Sequence, residues 1–221
     1  MTQQLSSAGS RFDTVSVEQA AAAIAAGRPV VVAGTHGDLV FAAQDATPHL
    51  VSVSVRYTDG FVCVALPDED CDRLGLPLMY PGSPACGGEA FAVTVDARAG
   101  GTTGISAADR ARTIRLLADP AATPADFTRP GHVVPIRTAR ESTPHRAGRG
   151  EAALALVRLA GKREAAVLSG IVSQRDAGDL AGPEELASFA AEHGLLVVSA
   201  AEVLAPGLTA QPACPHCGHA V

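Results

Sequence analysis

Short aliphatic runs alternate along this chain with segments that carry helix start and stop signals, and this alternation limits the possible folds more than any other feature. Residues 29–33 (PVVVA), 38–43 (DLVFAA), 60–66 (GFVCVAL), 165–172 and 195–199 read as buried strands. Residues 90–96 (AFAVTVD) alternate with a period of two, the mark of a half-buried strand. A short strand is expected at 133–136, followed by a polar loop over 137–150.

Between these runs lie helices with recognisable ends. Ser16 caps a helix through residue 26, with Gly27 just past its end and Pro29 as a stop signal. Ser106 and Asp109 form an S-x-x-D capping pair for a helix through residue 118. Further helices are expected at 68–74, 151–160 and 183–193, and a last turn at 201–204. Residues 49–57 are ambiguous: alternating Val and Ser favour a strand, whereas Thr47 as N-cap and Pro48 at the first helical position favour a helix, and the helix is chosen. The expected fold is one layered α/β or mixed-sheet α+β domain over residues 15–205, with a disordered stretch at 1–14 and a Pro/Gly-rich tail at 206–221.

With 47% hydrophobic residues, no Trp and only two Tyr, the core must be aliphatic. A net charge of −6 gives no support to nucleic acid binding, which wants a basic face. No apolar run approaches the ~18 residues of a membrane span. No basic region followed by an apolar run opens the chain, so a cytoplasmic location is expected.

Chemistry concentrates between residues 100 and 135. Gly100-Gly101-Thr102-Thr103-Gly104 can turn sharply and bring Thr hydroxyls and the first N–H groups of the Ser106 helix to one point, a setting that favours an anion. Arg110 and Arg112 lie one turn further on. Arg129-Pro130-Gly131-His132 adds a guanidinium and an imidazole in what reads as a rigid turn, and histidine suits proton transfer near neutral pH.

These residues sit among phrases that resemble 3,4-dihydroxy-2-butanone 4-phosphate synthase in order: Arg28-Pro29-Val30, residues 37–43, Arg56-Tyr57-Thr58-Asp59-Gly60-Phe61-Val62-Cys63, Cys71-Asp72-Arg73-Leu74, Val93-Thr94-Val95-Asp96, Thr103-Gly104-Ile105-Ser106-Ala107 and Arg129-Pro130-Gly131-His132-Val133. The resemblance implies an α/β homodimer with active sites near the subunit interface. It also implies a divalent-metal reaction turning ribulose 5-phosphate into formate and a four-carbon ketose phosphate. It places His132 on the catalytically important histidine, Asp38 on the last carboxylate of an acidic loop, and Arg146 and Gly148 on a phosphate-binding R-x-G-H-T segment.

The sequence departs from that pattern at three places. The family's acidic run is shortened to Val32-Ala33-Gly34-Thr35-His36-Gly37-Asp38, Arg149 and Gly150 replace a metal-binding His and a phosphate-binding Thr, and a Cys-Glu pair becomes Ser169-Gly170. From these departures the magnesium site is expected to be absent and the family reaction lost or weak. The leading expectation is a repurposed enzyme acting on another phosphorylated or anionic small molecule, outside ordinary riboflavin synthesis. His132 would be its catalytic group, and Asp38, Arg56, Thr103, Ser106, Arg110, Arg129, Arg146, Gly148, Arg149 and Glu151 would contact substrate. The alternatives are a non-catalytic binder that forms a hybrid dimer with an active relative, and a working synthase with His36, Asp38 and Glu151 as substitute ligands.

The tail carries Cys214-Pro215-His216-Cys217-Gly218-His219, which the family does not predict. Cys214, Cys217 and His219 suit a zinc knuckle that would need a fourth ligand, such as Cys86. A reducible or redox dithiol is the other reading.

Overall fold

A computed structural model of the chain describes residues 14–80, 89–138, 148–176 and 178–205. The elements follow in the order α1 (Val17–Ala25), β1 (Val30–Ala33), β2 (Gly37–Ala42), α2 (Pro48–Tyr57), β3 (Cys63–Pro67), α3 (Asp68–Arg73), β4 (Ala90–Phe91), β5 (Val95–Ala97), α4 (Ala107–Leu117), β6 (Phe127–Thr138), α5 (Arg149–Leu159), β7 (Ala166–Gly170), α6 (Pro183–His193), β8 (Val197–Ser199) and α7 (Ala200–Val203). The expected mixed sheet with flanking helices is what forms.

The strands lie in the order β4-β6-β3-β7-β2-β1-β8, with β5 paired to β6. The pairs β1–β8 and β3–β6 are parallel, and the remaining pairs are antiparallel. The valine-rich runs carry no polar alternation because both faces of the sheet are covered. Val40, Ala42, Cys63, Ala65, Val134, Ile136 and Leu168 join α1 and α5 in one apolar layer. Phe41, Val64, Val133 and Val167 face α2 and α4 on the opposite side, and Val31, Leu39 and Val197 face α6.

Local signals decided the helix ends. Ser16 accepts from Gln19 N while the Gln19 side chain accepts from Ser16 N, a reciprocal capping box. In α2 the start signals prevail over the Val/Ser alternation: Thr47 Oγ1 accepts from Leu50 N, and the buried Ser54 hydroxyl is satisfied by the Leu50 carbonyl. Ser54 thus enters the core without an orphaned hydroxyl.

Two stretches differ from expectation. Residues 90–96 do not form one strand: β4 and β5 are separate pieces, both pairing with β6. The expected short strand at 133–136 is twelve residues long and takes in Arg129-Pro130-Gly131-His132, which is therefore extended chain and not a turn. Gly131 permits this. A Cβ there would lie 2.0 Å from the Val95 carbonyl carbon, so only glycine lets β6 run against β5. Arg137, expected in a polar loop, belongs to β6 and pairs with Asp68 and Asp72.

Leu168 is fully buried at the centre of β7. Leu168→Ala is expected to destabilise the protein by about 2–5 kcal/mol, read as a lowered urea midpoint with an unchanged slope.

Candidate functional site

His132 leaves the sheet edge under the control of Asp96. The Asp96 carboxylate accepts from His132 N through Oδ1 at 3.0 Å and meets the ring Nδ1 through Oδ2 at 2.7 Å. An ionised carboxylate only accepts, so Nδ1 carries the hydrogen and Nε2 is the free atom. Asp96 is buried, and its carboxylate rests on Gly104, where a Cβ would approach Oδ2 to 2.1 Å and where φ is +86°. Gly104 therefore serves to seat the carboxylate that orients His132. The His132 side chain is 39% exposed, which leaves Nε2 accessible to a ligand.

The Gly/Thr turn does gather donors at the start of α4, but the chain supplies its own anion. Asp109 accepts from Thr102 Oγ1 at 2.7 Å, Thr102 N at 3.2 Å and Gly104 N at 3.3 Å. The Thr102 hydroxyl, foremost among these donors, holds the Asp109 carboxyl below the usual carboxylate range. This corrects the expectation of an empty anion platform built from Thr102 and these backbone donors. Thr103 and Ser106 remain exposed at its rim, with Ser106 Oγ accepting from Asp109 N.

Arg129 also departs from its expected place. Its guanidinium donates to the carbonyls of Leu74, Pro124 and Phe127, so it ties β6 to neighbouring loops. Arg110 is buried beside Asp96, with Nε lacking a partner. Arg56 lies over the Tyr57 ring on the exposed side of α2, its guanidinium carbon 5.6 Å from the ring centre.

A second group forms where β2 begins. Arg149, the first residue of α5, donates from Nη1 to Asp38 Oδ1 at 2.9 Å and from Nε to Glu89 Oε1 at 2.8 Å. Burial pushes the Asp38 carboxyl up to about 6, against the pull of Arg149. Burial works against the charge on Arg149, but Asp38 and Glu89 outweigh it and hold the guanidinium firmly protonated. Asp59 stands close by, its Oδ2 3.0 Å from where a Cβ of Gly170 would lie. Burial raises it also. Gly148 N donates to Glu151 Oε2 at 3.0 Å, which caps α5. Arg146 and the tail residues Cys214, Cys217 and His219 lie outside the described residues.

The sheet register relates the two groups. Val134, Cys63, Leu168 and Val40 lie in one row across β6, β3, β7 and β2. His132 and Asp38 each stand two residues before that row, at the same end of the sheet and three strand spacings apart, roughly 14 Å.

The fold and this sheet end define a mixed-sheet α/β domain that carries a carboxylate-oriented histidine and a buried carboxylate group at the same edge. Residues 18–205 match the family described as 3,4-dihydroxy-2-butanone 4-phosphate synthase, and the chain belongs to that family. A riboflavin biosynthesis protein RibBA from Nocardia farcinica is 54% identical over 200 residues, covering 88% of this chain and 48% of its own length. The corresponding protein of Rhodococcus jostii is 52% identical over the same length. The chain thus spans about half the length of these relatives. The Candida albicans synthase superposes with a TM-score of 0.80 at 34% identity, covering 87% of this chain and 97% of that one. A synthase in complex with two magnesium ions superposes with a TM-score of 0.80 at 36% identity, covering 87% and 95%.

These comparisons overturn two expectations. A repurposed enzyme that has lost the family reaction does not fit relatives about half identical across the domain that are riboflavin biosynthesis proteins. An absent magnesium site does not fit a 36% identical synthase that holds two magnesium ions; the metal seen among the comparisons is magnesium and not zinc at a cysteine tail. Glu89 enters the group from a segment that none of the family-like phrases covers. It was missed because it ends a Gly/Pro-rich loop with no motif of its own. Asp96 closes the Val93-Thr94-Val95-Asp96 phrase, which was the one signal available for it.

The donor chemistry suits magnesium. Among the described residues no three His, Cys, Asp or Glu side chains close on one point. Magnesium, however, takes hard oxygens and is commonly held by one or two carboxylates with water and substrate completing the shell. Asp38 and Glu89 supply two, and Glu89 Oε2 is buried without a hydrogen-bond partner among the described residues.

The depressed Asp109 carboxyl contributes stability that is present above its unfolded value of about 3.9 and is lost as pH falls through its folded value. Asp109→Asn is expected to lower the urea midpoint at pH 7 and to flatten the acid limb of stability below pH 4, measured by urea unfolding across that range.

Proposed function

We propose that this chain is a working 3,4-dihydroxy-2-butanone 4-phosphate synthase, releasing formate from ribulose 5-phosphate. The observation that carries this reading is the His132–Asp96 pair, which leaves Nε2 free at the same sheet end as Asp38 and Glu89. The names of the relatives support it.

In this reading His132 moves a proton at Nε2, and Asp96 holds the ring and stabilises the charge it gains. Asp38 and Glu89 would hold magnesium, which when bound polarises substrate oxygens as a Lewis acid. Arg146 and Gly148 are assigned to the phosphate end of the substrate from the family resemblance, and Thr103 and Ser106 to substrate contact from their place at the start of α4. The homodimer that the family resemblance implies would place a second subunit beside this site.

The test is formate release from ribulose 5-phosphate by the full chain, with magnesium and with excess EDTA. Turnover is expected with magnesium and is expected to disappear with EDTA. His132→Gln should lower kcat by ~10²–10⁴-fold with the fold intact by circular dichroism. Absence of formate from well-folded protein with magnesium would overturn the reading. Asp96→Asn should lower kcat by less than His132→Gln and shift the pH profile, because Nδ1 loses its carboxylate acceptor.

A further inference from the structure

Arg149 stands where its own helix least favours it. It is the first residue of α5, and the N-terminal end of a helix carries partial positive charge that repels a cation. Two carboxylates from distant segments hold it there: Asp38 on β2 and Glu89 before β4. The guanidinium does not pair bidentately with either one. It places Nη1 on one carboxylate and Nε on the other, so each acid gives it a single oxygen, and Glu89 Oε2 is buried with no hydrogen-bond partner among the described residues.

The group is asymmetric in its access to solvent. The Asp38 side chain is 8% exposed and that of Glu89 18%, whereas Arg149 is 33% exposed. The cation therefore has a route outward that the acids lack. A divalent ion on the same carboxylates would meet the fixed charge of a guanidinium within a few ångströms, and arginine cannot relieve that repulsion by losing its proton.

Resting on the synthase reading above, we infer that Arg149 is a displaceable counter-cation: it keeps Asp38 and Glu89 paired in the metal-free protein and swings out when a divalent cation takes them. Metal affinity is then set by competition between the ion and the guanidinium. Its release accompanies loading of the site.

Mn²⁺ binding to the full chain, followed by the loss of free-ion EPR signal, reads this without turnover. Arg149→Met is expected to bind Mn²⁺ about tenfold more tightly than the unmodified protein, and Glu89→Gln to bind it more weakly. Equal or weaker binding by Arg149→Met overturns the inference. A second measurement needs no variant: phenylglyoxal modification of Arg149, located by peptide mass spectrometry, should run faster with magnesium than with EDTA. An unchanged or slower rate overturns it. If the unmodified protein binds Mn²⁺ and releases formate while both readouts fail, displacement alone is wrong. If neither the protein nor Arg149→Met binds Mn²⁺ and no formate appears, the synthase reading falls with it.

Discussion

Asp38 is the second residue of a strand buried on both faces, and a carboxylate in that position must find a cation. Arg149 answers this need, and much of the surrounding structure depends on the answer. The pair ties the start of α5 to the edge of β2 and, through Glu89, to the segment that leads into β4. These three segments are far apart in sequence, and the Arg149 side chain at the start of α5 is what joins them. The pair earns little net stability once desolvation is counted, yet losing one partner would leave a buried charge uncompensated.

The histidine is managed by a different device. Asp96 reaches His132 because β5 and β6 run side by side, and they do so because Gly131 has no side chain to push them apart. Gly104 clears the space behind the carboxylate. Two glycines and one buried acid therefore set which nitrogen of His132 faces outward. Asp109, in the first turn of α4, accepts from the Thr102 hydroxyl and Gly104 N of the same loop, so the turn is a rigid support for Asp96 more than a free anion site.

The fold was largely legible. Helix ends declared themselves through Ser16, Thr47-Pro48, Ser106 and Pro183, because caps act within one turn and need no distant partner. Strands showed as aliphatic runs because helices cover both sheet faces. The stretch at residues 127–132 was not legible as a strand, since Pro and Gly ordinarily end strands. Only the neighbouring β5 backbone makes glycine a requirement there. The departures from the family's acidic phrases suggested a lost metal site, and a 36% identical synthase that holds two magnesium ions reverses that suggestion.

By itself the sequence determined the layered α/β class and the capped helices and singled out His132, all of which follow from short-range patterns or from phrases read in order. Tertiary structure alone decided that Asp109 fills the Gly/Thr turn, that Arg129 binds backbone carbonyls, and that Glu89 joins Asp38 and Arg149. The physical reason is one of range. Capping and periodicity act over a few residues, whereas a buried charge is compensated by whatever the sheet order brings beside it. For Asp38 and Arg149 that partner lies 111 positions along the chain.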